Sequence, residues 1–408
     1  MSADRPCTAL VLSGGGARGA YEVGVLRYVR ERLGSADTQF DVITGTSVGA
    51  INGAYIAATC DRPKAQARAL QKVWSQLTIN RVYDFGWSQL RSLPRVLFGR
   101  NLPKTPHGGR VGGLVDSTAF AQLVREQIPW RGLTENLASG KLRAFSVTAT
   151  EVATGISTVF VQAGRRRVDP WPEGPNETVV RTGITAAHTL ASAAIPVLFP
   201  AVKIGDQFYV DGALRQNTPL RPAIRLGAKR MLVIGLRHSE SPAERRVRQR
   251  AEAETAYPNA FFLLGKLMNS LMLDKVETDL DRIEQTNQIL RAGANEFGPD
   301  FAQRLSDAVG REKPWQAVET LVIQPSEDLG RIAWEVVRDA RLRGYDGIVP
   351  SLIRRSVEAD ERVEGGESDL ASYLLFEPEF INRIIELGYA DAARHHDQLM
   401  HLFRPESA

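Results

Sequence analysis

The stretch DVITGTSVGAINGAY, Asp41 to Tyr55, constrains the fold more than any other part of this chain. An apolar run, Val42-Ile43-Thr44, meets Gly45-Thr46-Ser47-Val48-Gly49 and continues into a helical stretch of mostly small residues at 50–58. Strand, sharp turn and helix in that order need glycines where the backbone reverses and where helix and strand come close. The serine then stands at a helix N-terminus, where amides and the dipole favour negative charge. This is the setting of a nucleophile elbow, with Ser47 as nucleophile and Gly45 and Gly49 beside it; a plain tight turn is the alternative.

An earlier stretch repeats the plan. The run Ala9-Leu10-Val11-Leu12 leads into SGGGARGAY, 13–21. Gly14, Gly16 and Gly19 fit G-x-G-x-x-G, a dinucleotide fingerprint. That fingerprint also needs an acid at the end of the second strand. Here Gly45-Thr46-Ser47 occupies that position, and Asp41 precedes the strand instead of following it. Successive glycines at a helix start expose backbone N–H groups, which hold an oxyanion as well as a phosphate. Gly14, Gly15 and Gly16 are therefore read as an oxyanion loop serving Ser47, with dinucleotide binding as the alternative.

Further apolar runs at 142–148, 208–210, 231–235 and 321–323 join 9–12 and 41–44 as expected buried strands. Between them lie amphipathic stretches such as 20–33, where Val23, Leu26, Val29 and Leu33 share a helix face. The alternation predicts an α/β fold with a mostly parallel sheet. At 408 residues and 43% hydrophobic content the chain can bury a large core. A net charge of +4 permits attraction to anionic surfaces without requiring it, and no basic block with interleaved aromatics is present, so no nucleic acid is expected. Cys7, Cys60 and the scattered histidines form neither a disulfide framework nor a zinc spacing. No Sec leader and no apolar run of about 20 residues is seen, so a cytoplasmic or peripheral-membrane location is expected. Gly/Pro-rich loops are expected near 102–113 and 163–176, and an acidic linker at 357–369 before a last helical stretch at 370–402.

A serine nucleophile needs a base. Histidines 188, 238, 395, 396 and 401 lie downstream, none in a recognisable strand-end motif. In QFYVDGALRQNTPL, 207–220, Asp211 ends the strand 208–210. A carboxylate at the C-terminal edge of a strand is where α/β sites gather. The other reading of Asp211-Gly212 is a simple turn.

GGGARG, GTSVG and DGA, in this order and at these separations, resemble the patatin-like phospholipase family. ASAAIPVLFPAV (191–202) and SDLASYLLFEPEFINRIIELGYAD (368–391) are similar to stretches of its bacterial members. The resemblance implies a three-layer sandwich around a mostly parallel central sheet, with residues 6–225 as the acyl-hydrolase core. Residues 226–408 would add strands and helices to the same fold, ending in a helical C-terminal part. It implies a Ser47–Asp211 dyad in place of a triad, no metal or other cofactor, and a phospholipid or other acyl-ester lipid as substrate. Acyl transfer from the same acyl-enzyme is the alternative outcome. Burial should raise the Asp211 pKa, which a useful base requires. Arg18 is read three ways: it orients the glycine loop, holds a phosphate head group, or is a surface cation. The stretch 81–110, with Trp87 and Phe98 among basic residues, is read as an interfacial lid or a covering segment. The stretch 261–273 is read as an acyl-channel wall or a buried helix.

Overall fold

The structure, a computed structural model, describes residues 5–34, 38–83, 117–164, 176–238 except 197, 276–310, 314–340, 348–360 and 368–404, with residues 174 and 246. The expected lid from 84 onward, the stretch 261–273, and all or most of the loops 102–113, 163–176 and 357–369 lie outside the described residues. At the start of the expected acidic linker, 357–360 instead forms the last turn of the helix Ile348–Asp360, because the Val357 side chain is buried in the core.

Among the described residues nine strands form one sheet: β1 (Thr8–Leu12), β2 (Val42–Thr46), β3 (Ala144–Glu151), β4 (Ser157–Ala163), β5 (Glu177–Arg181), β6 (Val202–Ile204), β7 (Gln207–Asp211), β8 (Arg230–Ile234) and β9 (Glu319–Ile323). The main path is β5-β4-β3-β2-β1-β8-β9. β1, β2, β3, β8 and β9 run parallel, while β4 is antiparallel to β3. Strands β4, β5 and β6 are additions to the sequence reading. β6 is three residues long and β5 only half-buried, so neither carries the apolar run that marks a central strand.

The apolar residues of each strand divide between two faces. Leu10, Leu12, Ile43, Phe145, Leu232 and Ile234 pack into one core with α1 (Ala20–Arg32) and α2 (Val48–Ala58). Ala9, Val11, Val42, Met231 and Val233 pack into another with Leu220 and Ala223 of the helix Leu220–Arg225 and with Val276. Period-two strands buried on both sides make the near-continuous apolar runs that the sequence displays. The result is three layers, helices on both faces of a mostly parallel sheet.

The C-terminal part belongs to this body. β8 pairs with β1, and the helix Pro378–Arg394 lies against α1. The two helices cross at reciprocal notches: a Cβ at Gly24 would lie 2.0 Å from the Ile385 carbonyl oxygen, and one at Gly388 would lie 2.3 Å from that of Tyr21. Buried Tyr21 donates its hydroxyl to Asp391 across the same crossing, at 2.8 Å.

One topological detail positions the site. β4 occupies one edge of β3 along most of its length. On the opposite edge, β2 pairs with residues 144–148 and β7, antiparallel, with 149–151. β2 and β7 therefore meet head-on. β2 ends at Thr46 opposite Thr148, and β7 ends at Asp211 opposite Ala149.

Candidate active site

Ser47, the residue after β2, is the sole described non-glycine residue with a positive φ, at 53°. For a residue with a Cβ this conformation costs about 1–3 kcal/mol and persists only where the surroundings enforce it. Here β2 ends and α2 begins on either side, and Gly49 passes so near β1 that a Cβ there would lie 2.5 Å from the Leu12 oxygen. Gly45 faces Gly49 in the same way. The elbow is thus held by backbone contact on both sides.

The head-on meeting of β2 and β7 brings Ser47 and Asp211 together across 164 residues. Ser47 Oγ donates to Asp211 Oδ2 at 2.6 Å, and the second oxygen, Oδ1, accepts from the Ala213 N–H at 2.8 Å. Asp211 is wholly buried. Burial pushes its carboxyl up to about 7 from an ordinary 3.8, against the two hydrogen bonds, which favour the ionised form. The five described histidines are engaged elsewhere. His188 accepts from Thr185 in a helix cap, His238 and His395 contact the carbonyls of Pro325 and Asp391, His396 meets Tyr28, and His401 faces Glu319. No described group of His, Cys, Asp and Glu is arranged to hold a metal ion.

The glycine run follows β1 directly. Gly14 donates its N–H to the Asn217 carbonyl at 3.2 Å, so that amide is committed to fixing the loop. Gly15 and Gly16 make no such bond among the described residues, which leaves their amides as the loop's available donors. Gly16 and Ser47 line the same pocket. Arg18 is not a surface cation: it is 5% exposed, with Nε donating to Ser372 Oγ at 2.7 Å and Nη2 to Asp369 Oδ1 at 3.0 Å.

Sequence reasoning missed Ser192. Its hydroxyl accepts from the Ser47 N–H at 2.8 Å and donates to the Thr148 carbonyl at 2.5 Å. Two residues on, the Ala194 carbonyl accepts the Asp211 N–H at 2.9 Å. The block ASAAIPVLFPAV thus supports both members of the pair, a role its sequence does not announce. Also missed was the network under the pocket. Asn52 Nδ2 donates to the Gly19 carbonyl and to Glu22, while its Oδ1 accepts from the Trp74 indole. Glu22 is fully buried, and desolvation raises its pKa well above the carboxylate range.

The pocket that starts at Ser47 is apolar almost throughout, about 760 Å³ including its open mouth. Val48, Ile51 and Tyr55 line it on α2, Trp74 and Leu77 on and just after α3 (Pro63–Ser75), and Phe199, Tyr373 and Phe376 close it. From Ser47 to Tyr55 the helix rises about 12 Å, at about 1.5 Å per residue. Of the stretch read as a lid, Arg81, Val82 and Tyr83 are described: Arg81 is exposed, and Val82 and Tyr83 are buried in this wall. No described helix is long and apolar enough to cross a membrane.

Comparison with known proteins gives the same family. A profile described as patatin-like phospholipase matches residues 10–224, just over half of the chain. The patatin-like phospholipase domain-containing protein 7 of Mus musculus is 44% identical over 68 residues, 17% of this chain and 5% of that protein. An uncharacterized NTE family protein of Mycobacterium tuberculosis is 29% identical over 210 residues, 52% of this chain and 27% of that protein. This chain therefore spans only a small part of those relatives' length. Among solved structures, human GIVD cytosolic phospholipase A2 in complex with methyl gamma-linolenyl fluorophosphonate aligns over 98% of this chain and 58% of its own. The identity there is 12% and the TM-score 0.41.

Proposed function

This chain belongs to the patatin-like phospholipase family, and we propose that it is a serine lipid acyl hydrolase working through Ser47 and Asp211. The observation that carries the proposal is the 2.6 Å hydrogen bond between Ser47 Oγ and a buried carboxylate at the head of an apolar pocket.

Ser47 Oγ attacks the ester carbonyl while Asp211 Oδ2 accepts its proton. A carboxylate of ordinary pKa is too weak a base for this; one raised to about 7 is matched to neutral pH. The carbonyl oxygen becomes an oxyanion, stabilised by the amides of Gly15 and Gly16 and by the N-terminus of α2. Collapse breaks the ester C–O bond, Asp211 returns its proton to the departing alkoxide, and the acyl group stays on Ser47. Water then attacks the acyl-enzyme and gives a proton to Asp211. The second collapse releases the fatty acid and restores the Ser47 hydroxyl. The acyl chain lies along α2 among apolar side chains, where burial contributes about 0.8 kcal/mol per methylene. The substrate class is a phospholipid or related acyl-ester lipid, met at a membrane surface.

Intact-mass analysis after incubation with an alkyl fluorophosphonate tests the assignment. Wild type is expected to gain one adduct on Ser47, and Ser47→Ala and Asp211→Asn none at the same exposure. Folded wild type that stays unmodified with and without phospholipid vesicles overturns it.

A further inference from the structure

The family profile ends at residue 224, yet part of the site comes from the other end of the chain. The short helix Asp369–Leu374, capped by the Ser368 hydroxyl on the Ala371 N–H, presses on the glycine loop. Gly16 has φ +56°, and a Cβ there would lie 2.3 Å from the Tyr373 carbonyl oxygen. The loop and the C-terminal segment are therefore in backbone contact at one of the two amides left to hold an oxyanion.

Arg18, two residues further on, locks that contact. Its guanidinium is buried with Ser372 Oγ at 2.7 Å, Asp369 Oδ1 at 3.0 Å and the Tyr373 ring 4.1 Å beneath it. Asp328, at the start of the helix Leu329–Ala340, also acts on this cation. Ser372 in turn donates to the Asp369 carbonyl at 2.6 Å. Four contacts thus tie residues 16–18 to 369–373: Gly16 with the Tyr373 carbonyl, and Arg18 with Ser372, Asp369 and the Tyr373 ring. A buried arginine held by a carboxylate and a hydroxyl has one geometry, and breaking such a pair leaves an uncompensated charge. Beyond stability, an oxyanion donor works only if fixed near the position the charge will occupy, within about half an ångström.

We propose that Asp369 and Ser372 are positioning residues for catalysis, a latch through which the C-terminal segment fixes Arg18 and, through it, the oxyanion-loop amides of Gly15 and Gly16. The inference rests on the hydrolase reading given above. Neither residue touches the substrate. Their contribution is to the transition state, so it falls on kcat and leaves ground-state binding alone.

The test is steady-state hydrolysis of p-nitrophenyl esters by full-length wild type, Asp369→Asn, Asp369→Glu and Ser372→Ala, with thermal melts beside it. The second readout is inhibition by an alkyl trifluoromethyl ketone, whose hemiketal oxyanion needs the loop amides, as against a ground-state fatty-alcohol competitor. Asp369→Asn is expected to lower kcat 10- to 100-fold with KM changed less than threefold. It should weaken the ketone by the same factor and leave the alcohol unaffected. Ser372→Ala, which disturbs the fold least, should act in the same direction at three- to tenfold, and Asp369→Glu should recover part of the loss. Variants that lose thermal stability but keep wild-type kcat and ketone affinity overturn the latch and leave the hydrolase reading standing. Wild type without Ser47-dependent hydrolysis overturns both.

Discussion

Replacing the buried carboxylate should cost activity and gain stability, with a pH dependence that identifies the cause. In the unfolded chain Asp211 titrates near its ordinary 3.8; in the folded protein burial pushes it to about 7. The folded state therefore holds the proton more tightly than the unfolded state. Below about pH 4 the group is neutral in both, and it contributes nothing to the difference. As pH rises from there to 7 the unfolded chain ionises first, and stability falls by about 1.4 kcal/mol per pH unit. The total is on the order of 4 kcal/mol, of which about 2 kcal/mol accrues between pH 5 and 7, the slope easing as the folded group itself ionises near 7. Asparagine has the same shape. It can still accept from the Ala213 N–H and can offer its amide to Ser47 Oγ, without the charge. Asp211→Asn should therefore become progressively more stable than wild type from pH 5 to 7, with the difference constant from pH 7.5 to 9. With an unfolding entropy of about 2.1 cal/mol/K per residue, the change amounts to a Tm difference growing by roughly 3 °C. Urea unfolding followed by tryptophan fluorescence at half-unit steps of pH measures it. The difference between the two proteins cancels other titrations that they share. A difference that is flat across pH 5 to 9, or that favours wild type increasingly at high pH, would refute the assignment of a raised carboxylate at this position.

On the proposed mechanism the same titration governs activity. Wild-type kcat/KM should rise about tenfold per pH unit in acid and level off above about pH 7, because the ionised form is the base; a stopped pH–rate series checks it. Ser192→Ala leaves the Ser47 N–H and the Thr148 carbonyl unpartnered in the interior, each worth about 1–3 kcal/mol. It should lower both Tm and kcat, the latter at least tenfold by ester hydrolysis assay. Gly49→Ala puts a Cβ against the main-chain oxygens of Leu12 and Ser13, at 2.5 and 2.6 Å, which cannot rotate away. A loss of about 3 kcal/mol or more is expected in urea titration. Ile51→Trp fills the pocket one turn of α2 beyond Ser47. With about 0.8 kcal/mol for each methylene excluded, kcat/KM for octanoyl and longer esters should fall at least tenfold relative to the acetate ester across a p-nitrophenyl ladder.

Strand–turn–helix at 41–58 and the glycine run at 13–19 were legible in the sequence because local geometry dictates them. A sharp reversal into a close-packed helix admits few residue types, and Gly45, Gly49 and the small side chains of α2 state that requirement one residue at a time. The doubly buried strands were equally plain, since burial on both faces leaves continuous apolar runs such as ALVL and MLVI. Asp211 was legible only as a carboxylate at the end of a strand, and its residues alone left a turn as the rival reading. What placed it against Ser47 is a pairing choice, β7 continuing along the β3 edge that β2 leaves at Thr148, and strand pairing across 164 residues has no local signature. Ser192 shows the same limit, as one hydroxyl among small residues whose partners are backbone groups of β3 and the elbow. The three readings of Arg18 could not be separated until the fold brought Asp369 and Ser372 to it from 351 and 354 residues away. By itself the sequence determined the α/β layering, the elbow and the glycine loop, all set by short-range sterics and by the periodicity of burial. Tertiary structure alone decided which carboxylate meets the serine, which buried charge is neutralised by which, and which apolar side chains enclose the pocket, because those are long-range contacts, selected by the packing of the whole chain.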